Sequence, residues 1–144
     1  MSDLKRLLYA AMTAATSLLT GVTSAAAAPS IKVAVMGVAS NEGDILVALY
    51  DQAGWRGAAL DRARAAAKSG TTIVSLAAPT PGIYGIKLFH DVNGNGKLDT
   101  NLVGIPTEPI GFSNDAPVHF GPPQFADAAF EVSADRAEQT ITLK

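Results

Sequence analysis

Apolar and polar residues alternate over several short segments of this chain, and a period of two is typical of β-strands that bury one face. Six segments that alternate in this way or are rich in β-branched residues are predicted as strands: residues 31–38, 44–51, 71–77, 83–90, 128–132 and 139–144. The first two flank a Ser-Asn-Glu-Gly turn, so we expect them to pair as a β-hairpin. The chain is therefore predicted to be all-β.

One segment between the second and third predicted strands has a different composition. Residues 58–68 are rich in Ala and Arg. Apolar residues recur there at helical spacing, at Leu60, Ala63 and Ala67, and Gly70 follows as a C-cap. We predict a short surface helix over this segment. Its basic residues are interpreted as a solvated face: Arg56, Arg62, Arg64 and Lys68.

A long segment without periodicity follows the fourth predicted strand. Residues 92–124 hold five prolines and five glycines and are predicted as a long Pro/Gly-rich loop, which Phe112, Phe120 and Phe125 pack back onto the domain. The turn before Tyr84 resembles a late strand of immunoglobulin-like and transthyretin-like domains, where a Tyr hydroxyl bonds to the upstream backbone. The predicted fold is an antiparallel immunoglobulin-like or transthyretin-like β-sandwich with one short helix.

The start of the chain has the organisation of a secretory signal peptide. Lys5 and Arg6 form a basic beginning, residues 7–19 are apolar, and small residues lead to a cleavage site near Ala28. The apolar part is too short to span a membrane, which takes roughly 18 or more apolar residues. We predict a signal peptide at residues 1–28 and one domain at residues 29–144, periplasmic or secreted and without membrane insertion.

Charge and cysteine content narrow the classes of partner. Without residues 1–28 the chain has 9 basic and 12 acidic residues, because the segment removes two of 11 and one of 13, and the formal net charge is −3. A mildly acidic chain is not expected to bind nucleic acid or an anionic membrane as its main partner. The absence of cysteine excludes disulfides, thiol chemistry and cysteine-ligated zinc.

Oxygen-bearing side chains recur at fixed spacing in one segment, residues 91–102, which we call the Asp91 loop. Asp91, Asn93, Asn95 and Asp99 stand at positions 1, 3, 5 and 9 of a calcium-loop pattern, and Lys97 at position 7 offers its backbone carbonyl. Hard cations take six to eight oxygen ligands, and alternate residues of a tight loop point inward. The spacing predicts a Ca²⁺ site.

The pattern lacks its last acidic residue. Position 12 is Leu102 instead of a bidentate Glu, so the site is expected to be weak, with a dissociation constant of about 10⁻⁴–10⁻³ M, unless Glu108 or Asp115 folds back to complete it. The same Asn-Gly sequence also forms ordinary turns in which Asx side chains bond to their own backbone. A metal-free structural loop is therefore the alternative.

Two further hypotheses concern function. A non-enzymatic module would present the loop to an envelope protein or a glycan, with Trp55 either a stacking platform or a packing residue. An enzyme or transition-metal site would use His90 and His119, with carboxylates such as Asp91 and Glu108, although their spacing matches no known metal motif. A grouping of Ser113, His119 and Asp115 is read as a chance occurrence.

The sequence contains the central run Pro-Gly-Ile-Tyr-Gly-Ile-Lys-Leu-Phe-His-Asp-Val-Asn-Gly-Asn-Gly-Lys-Leu-Asp-Thr-Asn at residues 81–101, followed by Gly-Ile-Pro-Thr-Glu-Pro at residues 104–109 and Gly-Phe-Ser-Asn at residues 111–114. These segments are similar to an exported bacterial family, domain of unknown function 2141. Gly85 stands where alanine is common in that pattern. The resemblance implies export, a β-sandwich and an ordered loop, and it implies no particular chemistry.

Overall fold

The computed structural model describes residues 24–144, and the fold is a β-sandwich. The strands are β1 (Ser30–Val38), β2 (Asp44–Tyr50), β3 (Asp61–Ala66), β4 (Gly70–Ala77), β5 (Gly82–Asp91), β6 (Ile110–Phe112), β7 (Phe130–Val132) and β8 (Arg136–Thr142). One short helix, α1 (Phe125–Ala128), precedes β7, and a 3₁₀ turn at Ser113–Asp115 follows β6. Within the described residues no helix is long and apolar enough to cross a membrane.

The strands form two sheets. The first sheet has the order β4-β1-β8, and the second sheet has the order β3-β2-β5-β6, with β7 pairing to the beginning of β5. All pairs are antiparallel except β1 with β8, which is parallel. The β-sandwich is thus confirmed, the strictly antiparallel arrangement is wrong, and the immunoglobulin-like or transthyretin-like class stays a prediction.

The core lies between the two sheets and follows the alternation in the sequence. In β1, Ile31, Val33 and Val35 are fully buried, whereas Lys32 and Ala34 between them are not. The inward residues of β2, β5 and β8 complete the same cluster: Ile45, Val47, Leu49, Tyr84, Ile86, Leu88 and Ile141. The Tyr84 hydroxyl donates to the carbonyl of Thr80 at 2.7 Å, which confirms the expected bond to the upstream backbone.

The predicted hairpin of the first two strands is wrong. β1 pairs with β4 and β8, and β2 pairs with β3 and β5, so the turn at residues 39–43 carries the chain from one sheet to the other. Alternation identifies which face of a strand is buried, but both β1 and β2 bury one face against the same core and either pairing satisfies that.

The predicted helix at residues 58–68 is also wrong, because the segment contains β3. Arg62 and Arg64 are exposed while Ala63 and Ala65 pack against the core, so the alternation has the period of a strand. Pairing with β2 from Asp44 to Leu49 supplies the backbone hydrogen bonds, and it overrides the helical preference of Ala and Arg.

The structure describes only the last residues of the predicted signal peptide. Residues 1–23, which carry most of the predicted signal peptide, lie outside the described residues, and residues 24–28 are exposed and have no regular secondary structure. The predicted long loop holds β6 and the Ser113–Asp115 turn. Of its aromatic residues, Phe112 is buried as expected, whereas Phe120 is fully exposed at 109% and does not pack back.

Candidate functional site

The Asp91 loop leaves the sheet at a firmly packed point. Asp91 is the last residue of β5, is 1% exposed, and pairs with Asp44 at the start of β2. Gly43 has φ +67°, and a Cβ atom there would lie 1.9 Å from the Asp91 carbonyl oxygen, so only glycine fits. The first predicted ligand therefore sits on a rigid anchor.

The Asp91 carboxylate organises the turn that follows it. Its Oδ2 accepts a hydrogen bond from the Gly96 N–H at 2.7 Å, and its Oδ1 accepts one from the Asn95 N–H at 3.2 Å. Gly94 and Gly96 have φ values of 70° and 76°, which favour glycine, and they allow the chain to curl around the carboxylate. Residues 94–96 are thereby wrapped over the end of β5.

The other predicted ligands meet at Asp99. The Nδ2 atoms of Asn93 and Asn95 donate to its Oδ2 at 2.5 Å and Oδ1 at 2.9 Å, respectively. The amide oxygens accept local backbone N–H groups, that of Asn93 from Asn95 at 3.2 Å and that of Asn95 from Lys97 at 2.9 Å. The structure thus brings Asp91, Asn93, Asn95 and Asp99 together in one hydrogen-bonded loop.

Glu108 closes the loop from outside the pattern. Its Oε1 accepts from the Val92 N–H at 3.1 Å and its Oε2 from the Asp99 N–H at 3.0 Å, so one carboxylate joins the beginning and end of the turn. Asp115 does not approach: its carboxylate accepts from the Thr142 N–H at 2.7 Å. Leu102, at position 12, is fully exposed. Glu108 is therefore the nearby acid that the pattern lacked.

The two histidines are not brought together. His90 is 1% exposed and shares the inner face of β5 with Ile86 and Leu88, and its Nε2 lies 2.7 Å from the Glu42 carbonyl oxygen. Because a carbonyl only accepts, Nε2 carries the proton, and Nδ1 is buried without a partner in the described part of the chain. His119 is exposed and lines the outer side of the second sheet.

Among residues 24–144, no three His, Asp or Glu side chains are grouped closely enough to hold a metal ion as they stand. Ser113 is equally committed to structure: its buried hydroxyl donates to the Ala128 carbonyl and accepts from the Ile86 N–H at 2.9 Å. Asn114, at φ 60°, donates its side-chain amide to the carbonyl of Ala129 at 2.8 Å. The Gly-Phe-Ser-Asn motif joins β5 and β6 to the segment around α1.

Trp55 is a packing residue, and its reading as a stacking platform is wrong. It is 4% exposed, and its indole Nε1 donates to the Pro123 carbonyl at 2.9 Å. Tyr50 and Phe125 contact it edge-on, with ring centroids 5.8 and 5.6 Å away. The Lys87 ammonium lies 4.5 Å from the Trp55 ring centroid and bonds to the Trp55 carbonyl, and burial together with the nearby Arg56 charge lowers the pKa of Lys87.

A groove on the outer face of the second sheet was not predicted. It has a volume of about 1050 Å³, and its floor is formed by the outward residues of β2, β3, β5 and β6. The Asp91 loop and the segment after it form one wall, through Leu98, Val103 and Ile105, and residues 118–122 add to the lining. The signal was present in β2, where all six residues from Ile45 to Tyr50 are apolar or aromatic, which indicates a strand with two covered faces.

Comparison with known proteins identifies a family. The chain matches the family described as "Uncharacterized protein conserved in bacteria (DUF2141)" over residues 33–141, which include the Asp91 loop, Glu108 and the strands that form the groove. The comparison with curated proteins found no match, and neither did the comparison with solved structures. The match confirms the family resemblance, and the chain belongs to the bacterial family DUF2141.

Proposed function

We propose that this protein is a non-enzymatic binding module of the bacterial cell envelope, periplasmic or secreted, whose Asp91 loop binds Ca²⁺ weakly. The observation that carries the proposal is the meeting of Asn93 and Asn95 at the Asp99 carboxylate, 2.5 and 2.9 Å away, beside Asp91. The ligands are the side chains of Asp91, Asn93, Asn95 and Asp99 and the backbone carbonyl of Lys97.

The chemistry requires a small rearrangement. An Asn amide that donates to Asp99 presents oxygen instead when it rotates by half a turn, and a cation between amide and carboxylate then replaces the hydrogen bond. The Asp91 oxygens accept one N–H bond each and keep a further lone pair. The rotation gives up the bonds from the Asn95 and Lys97 N–H groups, which lowers the net affinity.

Glu108 supports the loop from outside the ligand set, since no three acidic side chains of the described residues are grouped closely enough to hold an ion as they stand. It already reaches both ends of the loop through Val92 and Asp99, and it adds the charge that Leu102 does not provide. Two neutral amides still leave the ligand set poorer in charge than a sensor site. The expected dissociation constant therefore stays near the range of extracellular modules, about 10⁻⁴–10⁻³ M.

The protein is also proposed to be exported and to bind a partner in the cell envelope. The signal-like sequence at residues 1–28 and a bacterial family support an envelope location. Leu102 at the end of the loop, and Val103 and Phe120 beyond it, are exposed by 106%, 78% and 109%. Exposed apolar groups of this size are typical of interaction sites. The proposed partner is an envelope protein or a glycan.

Thermal unfolding of the purified protein tests the ion site. The experiment compares chelator with a Ca²⁺ series up to 10 mM and with Mg²⁺ at equal concentration. For a dissociation constant of about 10⁻³ M, 10 mM Ca²⁺ adds about 1.4 kcal/mol of stability, which is a rise of several degrees. A Ca²⁺-selective rise is the expected result, and no rise at any concentration would leave a metal-free structural loop.

Matched variants locate the ion. Asp99→Asn and Glu108→Gln each remove a carboxylate and keep the side-chain size, and both are expected to reduce the Ca²⁺-dependent rise. Asp135→Asn is the control, because it removes the same charge from an exposed turn before β8. Equal Ca²⁺ responses in all three variants and in the unmodified protein would contradict binding at the Asp91 loop.

A further inference from the structure

The groove on the second sheet combines an apolar lining with one sign of charge. Its lining includes Arg62, Arg64 and Lys87 and no Asp or Glu, although the whole chain has 13 acidic and 11 basic residues. Arg64 has one acidic neighbour, Asp44, at 3.9 Å. A groove that excludes acidic groups from an acidic protein is complementary to an anion.

Strand register arranges the floor in two rows. The first row runs Arg64, Leu46, Phe89 and Ile110 across β3, β2, β5 and β6. The second row runs Arg62, Ala48, Lys87 and Phe112 across the same strands. Adjacent strands lie about 4.8 Å apart, so Arg62 and Lys87 flank the small Ala48 with roughly 10 Å between their Cα atoms. The second row therefore offers a cationic cradle at Arg62, Ala48 and Lys87. The first row offers an apolar track from Leu46 to Ile110, with Arg64 at its β3 end.

We propose that this groove binds a fatty acid, with the carboxylate over Ala48 between Arg62 and Lys87 and the acyl chain along Leu46, Phe89 and Ile110. The proposal goes beyond the Ca²⁺ site and names a ligand for the groove, whose lining includes Leu98 of the Asp91 loop and Val103 and Phe120 of the proposed partner surface. From Ala48 to Leu46 the chain follows β2 for two residues, roughly 7 Å, and from Leu46 to Ile110 it crosses two strand spacings, roughly 10 Å. This length suits an acyl chain of medium length.

The exposed apolar side chains of the groove walls favour a ligand with an apolar body. Val103 and Ile105 are 78% and 58% exposed, and both line the groove, as does Phe120. Covering these side chains with an alkyl chain removes apolar surface from water, which is the main favourable term in such binding. The Lys87 ammonium gives one N–H to the Trp55 carbonyl and keeps two for a ligand. With the Arg62 guanidinium they supply charge-assisted hydrogen bonds to a carboxylate, which fix the direction of the chain.

Titration calorimetry with a series of dodecyl compounds tests the proposal. The purified protein is titrated with dodecanoate, dodecyl maltoside and dodecyltrimethylammonium below their micelle concentrations, in chelator so that the Ca²⁺ site plays no part. We expect saturable binding of one dodecanoate per chain, weaker binding of the neutral compound, and the weakest binding of the cationic one. Circular dichroism at the end of each titration checks that the protein stays folded.

Two pairs of variants test where the carboxylate and the acyl chain of the ligand bind. Arg62→Gln is expected to weaken dodecanoate binding about tenfold and to leave dodecyl maltoside unchanged, because a charge-assisted bond to the carboxylate is lost. Arg136→Gln, on β8 of the first sheet, is its control. The double variant Val103→Ser with Ile105→Ser is expected to weaken both compounds, and Ile73→Ser, exposed by 49% on the first sheet, is the control for it.

Several results would overturn the proposal. Absence of saturable dodecanoate binding, or equal binding of the cationic compound, would show that the groove does not select an anionic amphiphile. Equal loss in Arg62→Gln and Arg136→Gln would show that any binding is not at the cradle. Sedimentation equilibrium that shows a dimer dissociated by the Val103 and Ile105 changes would instead make a second copy of the chain the occupant.

Discussion

Replacing Gly85 with alanine tests how Trp55 packs on the outer face of β5. A Cβ atom on Gly85 would lie 2.7 Å from Cζ3 of the Trp55 ring, which is closer than Cβ atoms approach other atoms, and 3.2 Å from Cε3, which is a tight contact. The ring is held by the 2.9 Å bond to the Pro123 carbonyl and by the edge contacts of Tyr50 and Phe125. It therefore has little freedom to move aside.

The magnitude is the difference of two opposing effects. Overpacking of a well-packed cluster costs about 1–3 kcal/mol, whereas replacing glycine by alanine in a strand restricts the unfolded chain and returns about 0.4–1 kcal/mol. We expect Gly85→Ala to destabilise the protein by about 1–2 kcal/mol, which lowers the melting temperature by several degrees. Gly57→Ala is the control, because its nearest neighbouring atom would be 3.9 Å away.

A double-mutant cycle isolates the steric effect. Trp55→Leu removes the ring, so Gly85→Ala in that background is expected to be neutral or to stabilise by up to about 1 kcal/mol. Urea unfolding followed by far-ultraviolet circular dichroism gives the four free energies of unfolding, since the Trp55 fluorescence is absent in two of them. Additivity of the two changes within about 0.5 kcal/mol would refute the proposed contact.

Two further predictions concern Asn114 and Lys87. Asn114→Ala is expected to destabilise the protein by about 2 kcal/mol, because alanine is strained at a φ of 60° and the side-chain bonds to Ala129 and Gln139 are lost. Asn114→Gly loses the same side-chain bonds without the backbone strain, so urea unfolding should place its stability between those of Asn114→Ala and the unmodified protein. Burial and the Arg56 charge lower the pKa of Lys87, so between the folded-state pKa and 10.5 the unfolded chain binds more protons than the folded one. The free energy of unfolding is therefore expected to rise with pH in that window. Urea titrations at several pH values should show a smaller rise in Lys87→Met.

Much of the sandwich follows from alternation, and its connections do not. The buried faces of β1, β2 and β5 were each predictable from residues such as Val33, Val47 and Ile86, because burial acts on every second residue. Which strand each one pairs with depends on distant segments, and β1 pairs in parallel with β8 more than 90 residues away. β3 was missed because its short Ala side chains gave little contrast to the Arg residues between them.

The candidate site was predictable to the extent that it is local. Spacing alone placed Asp91, Asn93, Asn95 and Asp99 in one turn, since all four lie within nine residues. Glu108 could only be suggested, because its approach depends on the chain returning through Thr107, whose N–H bonds to the Asp99 carbonyl at 2.9 Å. The groove required the register of four strands, which no single segment contains.

The Asp91 loop and the groove share one stretch of chain, and this joins the two proposals physically. Gly96 and Leu98 line the groove, and they lie between Asn95 and Asp99, two proposed ligands of the ion. We expect an ion bound by Asp99 to restrain the backbone of the neighbouring Leu98, and thereby this part of the groove wall. If the ion changes the affinity of the groove for dodecanoate, dodecanoate must change the affinity for Ca²⁺ by the same factor, because linkage between two binding sites is reciprocal. Equal affinities with and without Ca²⁺ would instead mean that the hydrogen bonds of Glu108 to Val92 and Asp99 already hold this wall in place.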